Sequence, residues 1–208
     1  MAARAVRLDR GIVGLTLLAG AAISMGFIQL LAKPLEDVSN ISVQVLAVQI
    51  TTLAAPLIIS LLLLLRAGAA MVELGTRLGS RPFRWLLALW RQQLLHLVFT
   101  AMALVPYLLG AAMLTATVTR PEISSVAELR YLAGTLTPGF LALSLGKTAL
   151  FAALILWISL DQGARASRLR LARTAALSRA ISISISVILG LDITWALVMD
   201  PSLSAGLG

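Results

Sequence analysis

Five long apolar runs punctuate the chain, at about 11–32, 56–75, 94–116, 139–160 and 181–199, separated by shorter polar segments. Each is near the roughly 20 residues that a helix needs to cross the hydrocarbon of a bilayer. The last run opens with Ile181, Ser182, Ile183, Ser184, Ile185 and Ser186, a strand's period of two. An open strand cannot satisfy its backbone in lipid, so helix is predicted there too. Apolar character actually extends from Ile41 to Thr76, a length of over about 50 Å at a helical rise of 1.5 Å per residue. Pro56 lacks a backbone donor and disfavours helix at Ala55, which predicts a kink or break, with Gln44, Gln49, Thr51 and Thr52 in a short interfacial piece before it. Lys33, Pro34, Glu36, Asp37, Ser39 and Asn40 form a polar turn. Residues 117–138 read as a polar connection. Between 77 and 91, Arg77, Arg81, Arg84 and Arg91 interleave with Phe83, Trp85, Leu86, Leu89 and Trp90, which predicts a short basic amphipathic helix at the membrane surface. The whole chain, 1–208, is expected to form one all-α transmembrane domain of five spanning helices plus this short cytoplasmic coupling helix.

Composition sharpens this picture: 59% of the residues are hydrophobic and 12% charged, against about a quarter charged in a soluble domain. The net charge of +8 does not point to nucleic acid, because no aromatic-basic binding module accompanies it. It marks a sidedness instead. With the N-terminus cytoplasmic, the tail holds Arg4, Arg7 and Arg10, the 77–91 segment four arginines, and the 161–179 segment Arg165, Arg168, Arg170, Arg173 and Arg179, twelve of the 17 basic residues. The other side receives Lys33, Arg120 and Arg130. This asymmetry obeys the positive-inside rule and predicts a C-terminus on the far, periplasmic side. The basic start and the small residues 19–22 are ingredients of a secretory signal, but the length of the first run favours a retained helix. The chain has no cysteine and a single histidine, His96. Disulfides, thiolate metal sites and a cysteine nucleophile are excluded, and no ligand set for a metal is found.

The most informative stretch is the apolar run 56–75, which carries Arg66 and Glu73. Seven residues make almost two helical turns, so both charges project from one face, roughly 10 Å apart along the axis. They share a face without pairing directly. Charges at membrane depth face a partner helix or a wet cavity. Gly68, Ala69 and Ala70, followed by Gly75, remove side-chain bulk and predict close helix packing. Lys147 and Asp192 lie inside later runs, and a charge network of Lys147 with Asp192 or Glu73 is expected, since buried opposite charges cost least when paired. Ser144, Thr148, Ser159 and Thr194 are expected to hydrogen-bond between helices.

The stretch Arg66-Ala-Gly-Ala-Ala-Met-Val-Glu-Leu-Gly75 resembles the R-x-G-[SA]-A and E-[LI]-G elements of the MlaE/YrbE permease family, membrane subunits of ABC transporters that move phospholipids together with MCE-domain proteins. Two more similarities keep the family's order. Lys147-Thr-Ala-Leu-Phe151 with Trp157-Ile-Ser-Leu160 resembles its lysine-bearing fourth helix, and Leu189-Gly-Leu-Asp192 its last. Gly20 to Gln29 resembles the first spanning helix more weakly. The chain departs from the family in three places. Thr51-Thr-Leu-Ala-Ala-Pro56 stands where L-R-E-x-G-P is usual, the segment after Glu73-Leu-Gly75 is shorter and lacks T-E-Q-[IL], and an amphipathic helix ahead of the first span is missing.

The resemblance implies a homodimer in the inner membrane bound to a cytoplasmic ABC ATPase and to a periplasmic or membrane-anchored MCE protein. It implies a lipid path that includes Arg66, Glu73, Leu62, Leu63 and Met71, and coupling to the ATPase through Arg77, Arg81, Phe83, Arg84 and Trp85. No phosphate-cradling G-x-x-x-x-G-K-[ST] motif occurs in the sequence, so ATP is expected on the partner subunit and no cofactor in this chain. A stand-alone secondary transporter or a membrane scaffold is the alternative, because intramembrane charges also suit ion-coupled transport. An intramembrane enzyme would need a nucleophile beside a base, and the sequence offers only weakly motivated Ser/Lys or Asp pairs.

Overall fold

The computed structural model describes residues 10–32, 40–78, 83–119, 125–170 and 172–199. All regular structure among them is helical: α1 (Arg10–Ala32), α2 (Asn40–Leu78), α3 (Phe83–Thr119), α4 (Ser125–Thr135), α5 (Pro138–Arg168) and α6 (Arg173–Met199). Five of these, all but α4, are long and apolar enough to cross a membrane. Two compact units divide the chain. The first holds α1, α4 and the portions of α2 up to Leu62, of α3 from His96, and of α5 up to Leu150. The second holds α2 from Leu63, α3 up to Leu95, α5 from Phe151, and α6.

In the first unit, α1 buries Ile12, Thr16, Gly20, Ser24 and Ile28, one residue in every four. This stripe packs on α3. A Cβ on Gly20 would stand 2.3 Å from the Leu108 carbonyl oxygen, so the two backbones are as close as glycine permits. One turn further along both helices, the Ser24 hydroxyl donates to the Ala112 carbonyl at 2.9 Å. Ile28, Ala47, Val48, Met113, Ala116 and Leu132 form the core, to which α4 contributes Leu132.

In the second unit the tightest approach joins α2 to α5. A Cβ on Gly75 would lie 2.3 Å from the Leu160 carbonyl oxygen, and one on Gly163 would lie 2.2 Å from that of Val72. Val72, Ala166, Ala176 and Ala180 pack beside this crossing. Trp90 of α3 is tied to α5 by an indole N–H donated to the Ala153 carbonyl at 3.3 Å and by an edge contact with Trp157, their rings 6.0 Å apart.

Element boundaries depart from the sequence pattern in four places. α2 does not break at Pro56 but runs unbroken through it. The lost ladder bond leaves the Thr52 carbonyl without its usual donor, and the Ser144 hydroxyl donates to that oxygen at 3.2 Å. The basic 77–91 segment is not a separate helix either: from Phe83 it is the beginning of α3. Nothing in residues 83–93 stops a helix, so the chain continues directly into the span. The polar stretch 117–138 contains α4. Finally, the basic connection at 161–179 is largely helical, since α5 persists to Arg168 and α6 starts at Arg173. Asp161 steadies that last stretch of α5 by pairing with Arg165 one turn on, at 2.7 Å.

Candidate functional site

Helical spacing sorts the second half of α2 into two faces. Leu63, Leu64, Ala67, Met71, Val72 and Gly75 are buried. Arg66, Ala69, Ala70 and Arg77 are exposed, with Leu62 and Glu73 half-buried beside them. The uncovered side therefore carries the charges together with Ala69 and Ala70, alongside the exposed Leu61 and Leu65, while Gly68 and Gly75 are buried. A polar stripe at such a place calls for something to cover it.

Glu73 sits near the end of this stripe. It accepts a hydrogen bond from Arg77 Nη2 at 2.7 Å, one turn on along the same helix. Glu73 also lines a cleft of ≈ 210 Å³ with Ala69 and Val72 of α2 and Arg173, Thr174 and Leu177 of α6. Arg173 thus brings a second cation to the cleft that holds the carboxylate, and neither it nor the Arg77 pair follows from the spacing of Arg66 and Glu73.

The remaining predicted residues separate. Leu63 and Met71 belong to the unit's own core, at 0% and 5% exposure, so of the three apolar residues expected along a lipid path only Leu62 reaches the charged face. Of the small residues, Gly75 makes the close backbone approach, and its counterpart is Gly163, which the sequence pattern did not single out. Gly68 would meet only Leu64 and Leu177 side-chain atoms, at 3.4 Å and beyond, while Ala69 and Ala70 stand open. Arg81 lies outside the described residues. Phe83, Arg84 and Trp85 occupy the first turn of α3, where the backbone alone is described.

In the first unit, Lys147 is buried and lines a small pocket with Thr52, Leu53, Pro56, Phe140, Leu143 and Ser144. It therefore stands beside the serine that satisfies the proline-freed carbonyl. Asp192 is half-buried on α6, in the second unit. Hydroxyl roles also divide. Ser144 bonds across helices, whereas Thr148 and Thr194 donate back to Ser144 and Gly190 on their own helices, each at 2.7 Å. Ser159 Oγ is buried with no hydrogen-bond partner. No cluster of histidine and carboxylate groups able to hold a metal occurs among the described residues.

Against known families, residues 87–198 match the model described as Permease MlaE, just over half of the 208-residue chain. The matched range contains Lys147 and Asp192 and leaves α1 and α2 outside it. No curated protein matches the sequence.

Proposed function

The chain belongs to the MlaE permease family, a multi-pass membrane subunit of a lipid transporter, and from that premise we propose that it moves phospholipids or related lipids between the inner membrane and an MCE-protein pathway, driven by a separate ATPase. The observation that carries this reading is the family match across α3 to α6, together with five membrane-length helices. The uncovered Arg66 to Arg77 stripe supports its geometry. In our reading a second copy of the chain covers that stripe, and the lipid enters at the seam, its anionic headgroup held by Arg66 and drawn along toward Glu73. Leu62 lines the acyl region, backed by Leu63 and Met71. In this scheme Lys147 is neutralised by Asp192 or by Glu73, which holds the spans together.

ATP binds and is hydrolysed on the partner, and this chain contributes mechanical coupling. Arg77, Arg81, Phe83, Arg84 and Trp85 form the docking surface for the ATPase in this scheme. The first turns of α3 are continuous in one helix with the span, and within their unit Trp90 ties them to α5 through Ala153 and Trp157. Affinity purification of the full chain in mild detergent tests the assembly. A co-purifying ABC ATPase and MCE protein are expected, and a lone polypeptide that supports proton-coupled uptake would overturn the reading.

A further inference from the structure

A second polar site lies at the turn between α5 and α6; it shares Arg77 with the proposed lipid seam and Arg173 with the Glu73 cleft. Thr76, Arg77, Ala166, Ser167, Arg170 and Arg173 line an open pocket of ≈ 370 Å³. Three guanidiniums and two hydroxyls thus ring a space whose apolar floor, Ala166, is fully packed at 2% exposure. The nearest carboxylate in contact with this ring is Glu73, bonded to Arg77, which leaves positive charge in excess. Arg170 holds a left-handed backbone, φ 52°, a position where glycine is the usual occupant. An arginine stands there instead, among the residues that line the pocket.

The level of the pocket along the helices indicates what it takes. Arg77 ends the membrane-length segment Ser42–Arg77, Arg168 ends Pro138–Arg168, and Arg173 begins Arg173–Val198. The ring therefore lies at the ends of three membrane-length helices of one unit, at or beyond the hydrocarbon boundary, where lipid headgroups come within reach. Basic pockets between helix ends at this depth suit anionic headgroups, and the guanidinium fork matches phosphate oxygens in pairs. We propose that this pocket binds the phosphate-bearing headgroup of an anionic phospholipid resident in the membrane. It is a site for a bound lipid and not for the cargo, and it requires only that these helices end at the membrane surface. Because Arg173 also lines the Glu73 cleft, an occupied pocket fixes one wall of that cleft as well.

Native mass spectrometry of the full chain, released from nanodiscs containing equal amounts of phosphatidylcholine and phosphatidylglycerol, tests the site. The unaltered chain is expected to retain phosphatidylglycerol in preference to phosphatidylcholine, and R170Q/R173Q to lose that preference by roughly tenfold or more. R170K/R173K should recover part of it, and R179Q, which changes an arginine outside the pocket, should leave it unchanged. Both pocket arginines are exposed, so thermal unfolding of the double variant in detergent should match that of the unaltered chain. An equal preference in the unaltered chain and R170Q/R173Q overturns the proposal. So does displacement of phosphatidylglycerol by inorganic phosphate in matched excess, which assigns the ring to a free anion. Capture of a polyglutamate peptide that the double variant loses, with lipid retention unmoved, overturns it in favour of an acidic protein partner.

Discussion

Pro56 and Ser144 act as a pair although they are 88 positions apart in the sequence. The proline cannot donate to the Thr52 carbonyl, and the serine does so from another helix at 3.2 Å. Ser144→Ala should therefore leave a buried acceptor unsatisfied and destabilise the protein by about 1 kcal/mol, toward the upper end of hydrogen-bond effects measured between membrane helices. In a Pro56→Ala background the helix supplies its own donor, and most of that penalty should vanish. Thermal unfolding in detergent across the double-mutant cycle reads the coupling, and additive single effects would show that the two residues act independently. The pairing was invisible in the sequence because Ser144 is one hydroxyl among several at helix spacing, and only the fold brings it to the carbonyl that Pro56 leaves without a donor. Arg66 was legible for the opposite reason: a charge in a long apolar run is conspicuous wherever the helix ends up. Arg66→Ala should lower reconstituted lipid transport roughly tenfold, the loss expected of one charge-assisted hydrogen bond to a headgroup. Unchanged transport would remove Arg66 from the proposed path.

Helix pairs in this protein are set by where small residues allow two backbones to touch. Gly75 and Gly163 lie in one crossing, each with a carbonyl oxygen where a Cβ would have to go. Gly163→Ala must push α2 away from α5, because the clashing atoms are backbone and have no rotamer to escape into. A loss of about 1 to 3 kcal/mol or more is expected, measured by unfolding in detergent. Gly146→Ala on the same helix meets nothing within 4 Å and is the matched control, expected to be near neutral. Comparable losses in both variants would mean that the loss does not arise at the crossing, since helix propensity alone favours alanine over glycine at either position. The apolar periodicity revealed all five membrane-length helices, since hydrophobic length is a property of each segment alone. Their ends were less legible. Arginines at 165, 168, 173 and 179 read as a polar connection, yet helix propensity does not fall with charge, and long basic side chains are well placed on the last turn of one helix and beyond the membrane on the next. Residues 125–135 were passed over because an 11-residue helix of mixed polarity has no transmembrane signature, and Leu132 declares its role only once a core exists to receive it.

At the scale of the whole molecule, charge and hydrophobic length together determine which side of the membrane each end occupies. Arg77 at the end of α2 and the arginines flanking the α5–α6 turn belong to one unit and border one basic pocket, so they must lie at the same membrane surface. If each of the five membrane-length helices crosses, the two ends are predicted on opposite sides, and the positive-inside rule predicts that the basic surface faces the cytoplasm. A fluorescent-protein fusion at the C-terminus, which matures only in the cytoplasm, is expected to stay dark, whereas an alkaline phosphatase fusion at the same point, active only outside, is expected to work. The two reporters should exchange behaviour when fused within the turn after Arg168, where the chain has crossed once fewer. A fluorescent C-terminal fusion would break either the span count or the orientation, and the internal fusion separates these. If the turn still reports cytoplasm, α6 fails to cross. If it reports the outside, the molecule is inverted, and the proposed ATPase surface at the start of α3 faces away from ATP.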